Sequence, residues 1–430
     1  MIIKFKNILF LALVLGFVGC DEIDITPESN GLLKVLQLEN EYLARNIFTK
    51  DDTLVAFCVG NEDKLKQSDY GSIPSIMLKL SSTGEVKWQK ELPKSLLAIW
   101  KVIELSNGNF FVVASDTSLN SEELHFAIID PLGRVKSETK KSFKTHALTD
   151  LTSSLSVDCI QLSNGNIATV VTDLPSFTEL TSPHLFIFNG SLQQVNSRIY
   201  RPDGQILGNR KLKYSVVENR NGELFILGRM YPRTGEPNYF GFCLSINLST
   251  LEPIRFSPFL NGRQNASFSE AVCSENNDIV FVTSQKSETD QLNNSPFTLR
   301  YLDQYFIGPE LTLWSLKQDI TDAKTIKIAG FPKNGFISKV KRTQDGGYLL
   351  LGTCNINSDQ TIPSKYQLLL VKLNAQLQTD WIIHPNTSSS FLGADVIEQN
   401  GMFLIFGSYL SFSESFKPIV ININQFGEIQ

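Results

Sequence analysis

A short turn-and-strand segment recurs along this chain and constrains its fold more than any other feature. In the clearest copy, residues 343–353 have the sequence TQDGGYLLLGT, an Asp-Gly turn followed by an apolar run. Asn-Gly or Asp-Gly before such a run is a strong hairpin signal, because the turn needs positive φ and glycine has no Cβ to clash there. Further copies occur at residues 49–59, 105–115, 162–172, 219–229, 274–284 and 398–408.

The spacing of these copies predicts a repeat architecture. The turn residues are Asp52, Gly108, Gly165, Gly222, Asn277, Gly346 and Gly401, at intervals of 56, 57, 57, 55, 69 and 55 residues. Each unit of this length is a small sheet that cannot bury its faces alone. We therefore predict an all-β fold over residues 30–430, a seven-bladed β-propeller with four-stranded antiparallel blades. The longer interval predicts an insertion at residues 304–335, either an extended hairpin or a loop that caps one face.

The two ends of the chain predict how the ring closes. The last unit runs through Pro418–Asn424 and stops too early for a full fourth strand. Residues 32–37 precede Asp52 in the sequence by about as many residues as separate Trp88 from Gly108. We expect this N-terminal strand to complete the last blade, because pairing the two ends removes exposed sheet edges.

One segment carries a family resemblance. Residues 76–92, IMLKLSSTGEVKWQKEL, contain a Thr-Gly turn followed by a strand with Trp88, and residues 370–381 repeat the pattern with Trp381. This segment resembles the pyrroloquinoline-quinone-type β-propeller repeat, which implies the same propeller fold. The adjacent-cysteine pair of the quinone-dependent dehydrogenases is absent from the sequence. No cofactor is therefore expected.

The N-terminal sequence predicts where the protein is located in the cell. A basic start is followed by apolar residues 8–18 and then by Gly19-Cys20. The apolar run is too short to span a bilayer. It resembles a bacterial lipoprotein signal, with residues 17–20 in the place of the lipobox, which implies that residues 1–19 are removed and that Cys20 is lipidated. An ordinary secretory signal with an incidental cysteine is the alternative.

The residues after Cys20 extend this prediction. Asp21-Glu22 resembles the acidic export tag of surface-exposed lipoproteins, and residues 20–29 form a polar tether. We expect an outer-membrane lipoprotein at the cell surface, or alternatively at the periplasmic face. Without residues 1–19, 37 basic and 44 acidic side chains leave a net charge of about −7. This balance argues against a nucleic-acid partner, since phosphate contacts need clustered Lys and Arg.

The long polar connections between second and third strands are the predicted binding surface, because in a propeller they all emerge on one face. Aromatic and Arg side chains supply contact area and directed donors. The candidate residues for a protein partner or an extracellular glycan or peptide are Tyr231, Arg233, Asn238, Tyr239, Tyr70, Trp100 and Tyr366.

Catalytic motifs are scarce. The four histidines lack metal-ligand spacing, and no phosphate loop, HExxH motif or nucleophile elbow occurs. The sequence thus predicts no metal site and no enzyme. It predicts a binding or scaffold lipoprotein, for example an accessory of a nutrient-uptake complex. Two alternatives stay open: a carbohydrate-active enzyme with carboxylates at the propeller mouth, and a periplasmic factor for outer-membrane protein assembly.

Overall fold

The protein forms a ring of seven antiparallel sheets. The structure is a computed structural model, and it describes residues 33–60, 73–116, 123–142, 156–173, 182–200, 214–230, 240–259, 266–285, 310–317, 319–320, 323–328, 335–355, 366–383, 390–410 and 416–429. Within these ranges the helical content is the short 3-10 helix Lys94–Leu96. None of the described helices is long and apolar enough to cross a membrane. The predicted seven-bladed all-β propeller is confirmed.

The strands follow one order in each blade, from the ring axis outward. Blades 1 to 3 contain β2 (Tyr42–Lys50), β3 (Thr53–Gly60), β4 (Ile76–Ser81) and β5 (Val86–Glu91); β6 (Ala98–Glu104), β7 (Phe110–Ser115), β8 (Glu123–Ile129) and β9 (Val135–Ser142); β10 (Val157–Gln161), β11 (Ile167–Asp173), β12 (Ser182–Phe188) and β13 (Gln194–Ile199). Blades 4 and 5 contain β14 (Tyr214–Glu218), β15 (Leu224–Met230), β16 (Phe240–Ile246) and β17 (Pro253–Phe259); β18 (Ala266–Phe268), β19 (Val272–Cys273), β20 (Ile279–Gln285), β21 (Glu310–Leu316) and β22 (Ala323–Lys327). Blades 6 and 7 contain β23 (Gly335–Arg342), β24 (Tyr348–Asn355), β25 (Tyr366–Leu373) and β26 (Thr379–Ile383); β27 (Ser390–Gln399), β28 (Met402–Leu410) and β29 (Phe416–Asn424), completed by β1 (Leu33–Val35).

The ring closes by pairing the two ends of the chain, as the sequence predicts. Strand β1 is antiparallel to β29, with Leu33 opposite Ile421 and Val35 opposite Ile419. The Leu36 amide continues the pairing by donating to the Pro418 carbonyl at 2.9 Å. The last blade thus obtains its outer strand from the N-terminal segment, and this strand covers the edge of β29.

Each neighbouring pair of blades buries its own apolar cluster. Phe57 of blade 1 and Phe110 of blade 2 share one cluster, with ring centroids 5.3 Å apart. The seventh cluster joins the first and last blades, where Phe406 packs with Ala56 and Leu78. A single blade could not bury these faces, so closing the ring is what completes the core.

The turn chemistry agrees with the hairpin signals. Gly108 lies in the inner turn of blade 2 at φ 75°, and Asn400 and Gly401 lie in that of blade 7 at 52° and 73°. In the third-to-fourth turn of blade 6, Leu377 adopts φ 65° at the position where Gly84 stands in blade 1. The repeat therefore keeps the left-handed conformation even where a side chain makes it costly.

The insertion predicted at residues 304–335 is located wrongly. Strands β21 and β22 lie in this stretch, and they are the regular third and fourth strands of blade 5. The extra length of blade 5 falls instead between β20 and β21, in residues 286–309, which lie outside the described residues. The period alone could not tell which connection was long, because only the hairpin turn was used as the marker.

Candidate functional site

A cavity of about 110 Å³ lies on the axis of the ring, between the inner strands of the blades. Its lining includes residues from blades 1, 2, 3, 5, 6 and 7. The most informative of these are Arg45, Trp100, Glu270, Ser338, Lys339 and Ala394. Arg45, Trp100 and Ser338 lie in the first halves of their inner strands, so the cavity lies toward the face where second strands end and third strands begin.

Irregular strands direct these side chains at the axis. The pairing of inner and second strands shifts by one residue in blades 1, 2, 6 and 7, and the extra residues are Arg45, Trp100, Ser338 and Ala394. In blade 5 the inner strand is interrupted between β18 and β19, and Glu270 lies in the gap. A bulge re-aims a side chain that regular pairing would send to a sheet face. Five blades therefore contribute an off-register residue to one cavity.

Lys101 joins two carboxylates beside the cavity. Its Nζ lies 2.8 Å from Asp158 Oδ1 and 2.8 Å from Glu270 Oε1, so these two oxygens are within twice that distance of each other. The other oxygen of Asp158 accepts hydrogen bonds from the Ser215 hydroxyl at 3.0 Å and the Val216 amide at 2.9 Å. One Lys–Asp pair thus ties blades 2, 3 and 4 together at the axis.

A second Lys–Asp pair repeats this arrangement in blades 6, 7 and 1. Lys339 Nζ lies 3.1 Å from Asp395 Oδ1, and Lys341 Nζ lies 3.5 Å from the same oxygen. Asp395 Oδ2 accepts from the Asn46 side-chain amide at 3.0 Å and from the Ile47 backbone amide at 3.3 Å. The aspartates of blades 3 and 7 therefore have the same structural role, each bridging to the next blade.

The two lysines differ in their electrostatic surroundings. Burial opposes the charge of Lys101, but Asp158 and Glu270 outweigh it and raise its pKa well above the ordinary value. Burial lowers the pKa of Lys339, and the nearby Lys341 and Lys101 lower it further, against the attraction of Asp395 and Glu270. Lys339 therefore gives up its proton more readily than an ordinary lysine.

The three carboxylates also differ in what they can reach. The side chains of Asp158 and Asp395 are 6% and 1% exposed, and both oxygens of each already accept bonds from neighbouring blades. Glu270 is 25% exposed and lines the cavity. Asp158 and Asp395 are therefore structural, and among these carboxylates Glu270 is the one that a bound molecule could touch.

A larger cavity, of about 320 Å³, lies at the opposite end of the axis between blades 6, 7 and 1. The Glu398 side chain at this cavity forms a hydrogen bond with an inner turn: it accepts from the Gln344 backbone amide at 2.7 Å. The same contact recurs between Glu218 and Ser163 in blades 4 and 3. Because this contact belongs to the repeat itself, we assign this end of the axis a structural role.

The candidate residues named from sequence have different outcomes. Trp100 lies at the axial cavity, half-buried, with its Nε1 donating to Ser115 Oγ at 3.1 Å. Tyr366 packs beside Leu43, Leu392 and Phe416 and does not line this cavity. The remaining candidates lie outside the described residues and stay predictions: Tyr70, Tyr231, Arg233, Asn238, Tyr239 and the lipid-anchor residue Cys20.

Sequence reasoning missed the charged residues at the axis, although a signal for them exists. Lys101, Asp158, Glu270 and Lys339 each stand seven residues before the turn residue of their own repeat. When several repeats carry a charged residue at the same position of the buried inner strand, these side chains are expected to meet in one polar layer around the axis. The described residues hold no group of three or more His, Cys, Asp or Glu side chains placed to bind a metal ion.

Comparison with known proteins gives a fold-level likeness. No family model matches the chain, and no curated protein matches it either. Among solved structures, an ulvan lyase of polysaccharide lyase family PL25 matches with a TM-score of 0.57 and 7% identity, over 91% of this chain and 96% of that chain. That lyase was solved bound to -[GlcA(1-4)Rha3S]-. An α-L-arabinanase of Penicillium chrysogenum matches with a TM-score of 0.46 and 9% identity, over 79% and 97% of the two chains, too distant to carry an argument.

These comparisons correct one expectation. The prediction that the protein is not an enzyme is contradicted, because the ring that the chain shares almost end to end is that of a polysaccharide lyase. At 7% identity the likeness shows the fold alone. The resemblance to the quinone-type repeat and the lipoprotein signal have no matching family model and stay predictions.

Proposed function

We propose that this protein is a carbohydrate-active enzyme that acts on a polysaccharide at the axial cavity. The observation that carries the proposal is the convergence of Glu270, Lys339 and Arg45 with Trp100 in one cavity on the axis. A concave site with an aromatic wall and a few ionisable groups is the usual form of an active site. The fold-level likeness to a polysaccharide lyase supports the same class of substrate.

Trp100 gives the cavity a surface suited to sugars. The flat apolar face of an indole packs against the C–H face of a sugar ring, while its N–H needs a polar partner. Here the N–H is bonded to Ser115, so the ring is held in one orientation. We expect Trp100 to position the substrate rather than to take part in bond cleavage.

The proposal is tested by the release of reducing ends from a panel of neutral and acidic polysaccharides, including ulvan. We expect the protein to cleave at least one of them. Trp100→Ala should raise KM tenfold or more, since a loss of about 1.4 kcal/mol of binding energy is tenfold in affinity. Trp100→Phe, which keeps an aromatic face, should retain most of the activity. Failure to cleave any polymer of the panel would contradict the proposed function.

We also propose that the domain is held at a membrane through Cys20. The supporting observation is the order of basic start, apolar run and Gly19-Cys20 in the sequence. A protein expressed in a Gram-negative host with labelled palmitate should carry the label and sediment with membranes. Cys20→Ser should carry no label and appear in the soluble fraction. Equal labelling of the two proteins would exclude Cys20 as the anchor.

A further inference from the structure

Exposed apolar side chains are concentrated on one face of the ring. The inner turns and the third-to-fourth turns lie on the face opposite the axial cavity, and we call this side the turn face. In the described part of the chain, five of the seven exposed large hydrophobic side chains lie in a third-to-fourth turn or in the first two residues of the strand after it. They come from five consecutive blades, 7 and 1 to 4: Phe426, Val86, Leu132, Val195 and Ile254. Apolar side chains grouped in this way mark a surface that contacts a partner.

The turns that carry Phe426 and Leu132 are tied to the preceding blade. Trp381 Nε1 of blade 6 donates to the Gln425 carbonyl at 2.9 Å, next to Phe426. Lys90 Nζ of blade 1 donates to the Leu132 carbonyl at 3.3 Å. The side chains of these two turn residues still point into solvent, with Phe426 71% and Leu132 55% exposed. Because the backbone is already held in place, burying these side chains against a partner costs little ordering of the chain.

Exposed cations outnumber exposed carboxylates on the outer turns of blades 7, 1 and 2 and on the strand ends beside them. The cationic side chains are 40%, 55%, 59% and 53% exposed, in the order Lys34, Lys87, Arg134 and Lys136. The exposed carboxylates there are Glu85 and Glu428. Asp130, which pairs with two of the cations, is only 5% exposed. Cations flanking apolar side chains are complementary to anionic lipid headgroups.

The N-terminal segment reaches the ring beside the most exposed of these side chains. Strand β1 begins at Leu33, opposite Ile421, and Ile429 bridges to β29 on the side nearer the turn face. The chain before β1 therefore meets the outer edge of blade 7 close to the turn that holds Phe426. A fully extended chain from Cys20 to Leu33 covers at most roughly 45 Å, so a lipid on Cys20 would keep this edge of blade 7 near the membrane.

We infer that the turn face of blades 7 and 1 to 4 lies on the lipid surface of the membrane that holds Cys20, with Phe426 and Leu132 in the headgroup region. This inference rests on the proposed anchoring through Cys20 and specifies how the anchored domain is oriented. A bilayer suits this surface because it is flat and meets side chains that stand at one level of the repeat in five blades, whereas a protein interface is centred on a compact group of anchors. The axial cavity then opens away from the membrane, where a polysaccharide can reach it.

Two dye-labelled variants of the lipidated protein test this orientation. Gln425→Cys places a polarity-sensitive dye on the exposed neighbour of Phe426. Lys94→Cys places the same dye on the opposite face, in the exposed connection from blade 1 to blade 2. Four of the five cysteines after Cys20 are buried, and dye-treated wild type measures the labelling of the half-buried Cys273.

Each variant is expressed with labelled palmitate, purified and reconstituted in vesicles of phosphatidylethanolamine and phosphatidylglycerol. We expect the dye at position 425 to emit at a shorter wavelength than in its Cys20→Ser form mixed with the same vesicles. Lipids that carry a doxyl group should quench this emission. The dye at position 94 should show neither the shift nor the quenching, because it faces water.

Serine variants test which side chains make the contact. In the Gln425→Cys background, Phe426→Ser combined with Leu132→Ser should abolish the shift and the quenching. Ile199→Ser is the matched control, because Ile199 is also an exposed apolar residue, 37% exposed, but lies at the other end of its outer strand. It should leave both signals unchanged. Circular dichroism and thermal melting confirm that each variant is folded.

The outcomes separate the orientation from the anchoring. A palmitate label on the protein together with a dye at position 425 that reports water, or a dye at position 94 that reports lipid, would overturn the orientation and leave the anchoring through Cys20 standing. An unchanged shift in the variant with Phe426→Ser and Leu132→Ser would overturn the role of these two side chains. Absence of the palmitate label from the wild type would overturn the anchoring, and the inference with it.

Discussion

Replacing Asp395 by alanine is expected to lower the free energy of unfolding by about 3–5 kcal/mol, the usual cost of removing one partner of a buried ion pair. Asp395 is buried and accepts from Asn46 and Ile47 of blade 1 while facing Lys339 of blade 6. The lysines hold the pKa of its carboxyl below the ordinary value although burial opposes this. The change therefore removes contacts that join three blades where the ring closes, and it leaves Lys339 buried beside other cations.

Urea-induced unfolding of the wild type and Asp395→Ala measures this loss. Glu85→Gln is the matched control, because it also removes a carboxylate that pairs with a lysine. Glu85 is 59% exposed, and exposed ion pairs contribute only about 0–1 kcal/mol. If Asp395→Ala lowers the free energy of unfolding no more than the control does, the ion pair between Lys339 and Asp395 does not stabilise the ring.

Replacing Gly352 by alanine is expected to cost about 3 kcal/mol, the upper end of the range for overpacking a core. Gly352 lies on β24 opposite Ile337, beside the bulge of the inner strand. A Cβ there would meet the Phe336 carbonyl oxygen and would lie 2.9 Å from Ile337 Cα. Both are backbone atoms, so no side-chain rotation can relieve the contact.

Gly190→Ala provides the comparison for Gly352→Ala. A Cβ at Gly190 would have no heavy atom within 4 Å, and we expect a change in the free energy of unfolding near zero. Urea titration of both variants separates the steric effect from the general effect of losing a glycine. Similar stability of the two variants would contradict the close approach of β23 and β24 at this point.

The ring was predictable because its signals are local and repeated. Gly108 and its counterparts mark turns that demand positive φ, and their spacing counts the blades. The small residues six positions after these turns also have a physical reason. Cys58, Ala114, Gly352 and Gly407 stand opposite the residue that precedes a bulge. At Gly352 and Gly407 an added Cβ would meet a backbone carbonyl oxygen of the inner strand.

The candidate site was much less predictable, because it depends on departures from the repeat. Nothing in the apolar pattern indicates that Arg45 or Trp100 is an extra residue in its strand pair. Glu270 lies where an inner strand is interrupted, and the periodicity gives no sign of the break. The sequence shows that Lys101 and Asp158 are charged residues at the same position of two repeats. Their pairing across blades could not be predicted, because it depends on the closed ring.

The central claim is that substrate binds at the axial cavity, and Ala394→Trp tests it most directly. Ala394 lines the cavity from a bulge, so an indole there would take up space in the cavity without removing any charged group. Activity on whichever polysaccharide the wild type cleaves should fall at least 100-fold, equivalent to about 2.7 kcal/mol in transition-state stabilisation, while the melting temperature stays close to that of the wild type. Wild-type activity in folded Ala394→Trp would show that the polysaccharide is cleaved elsewhere on the protein.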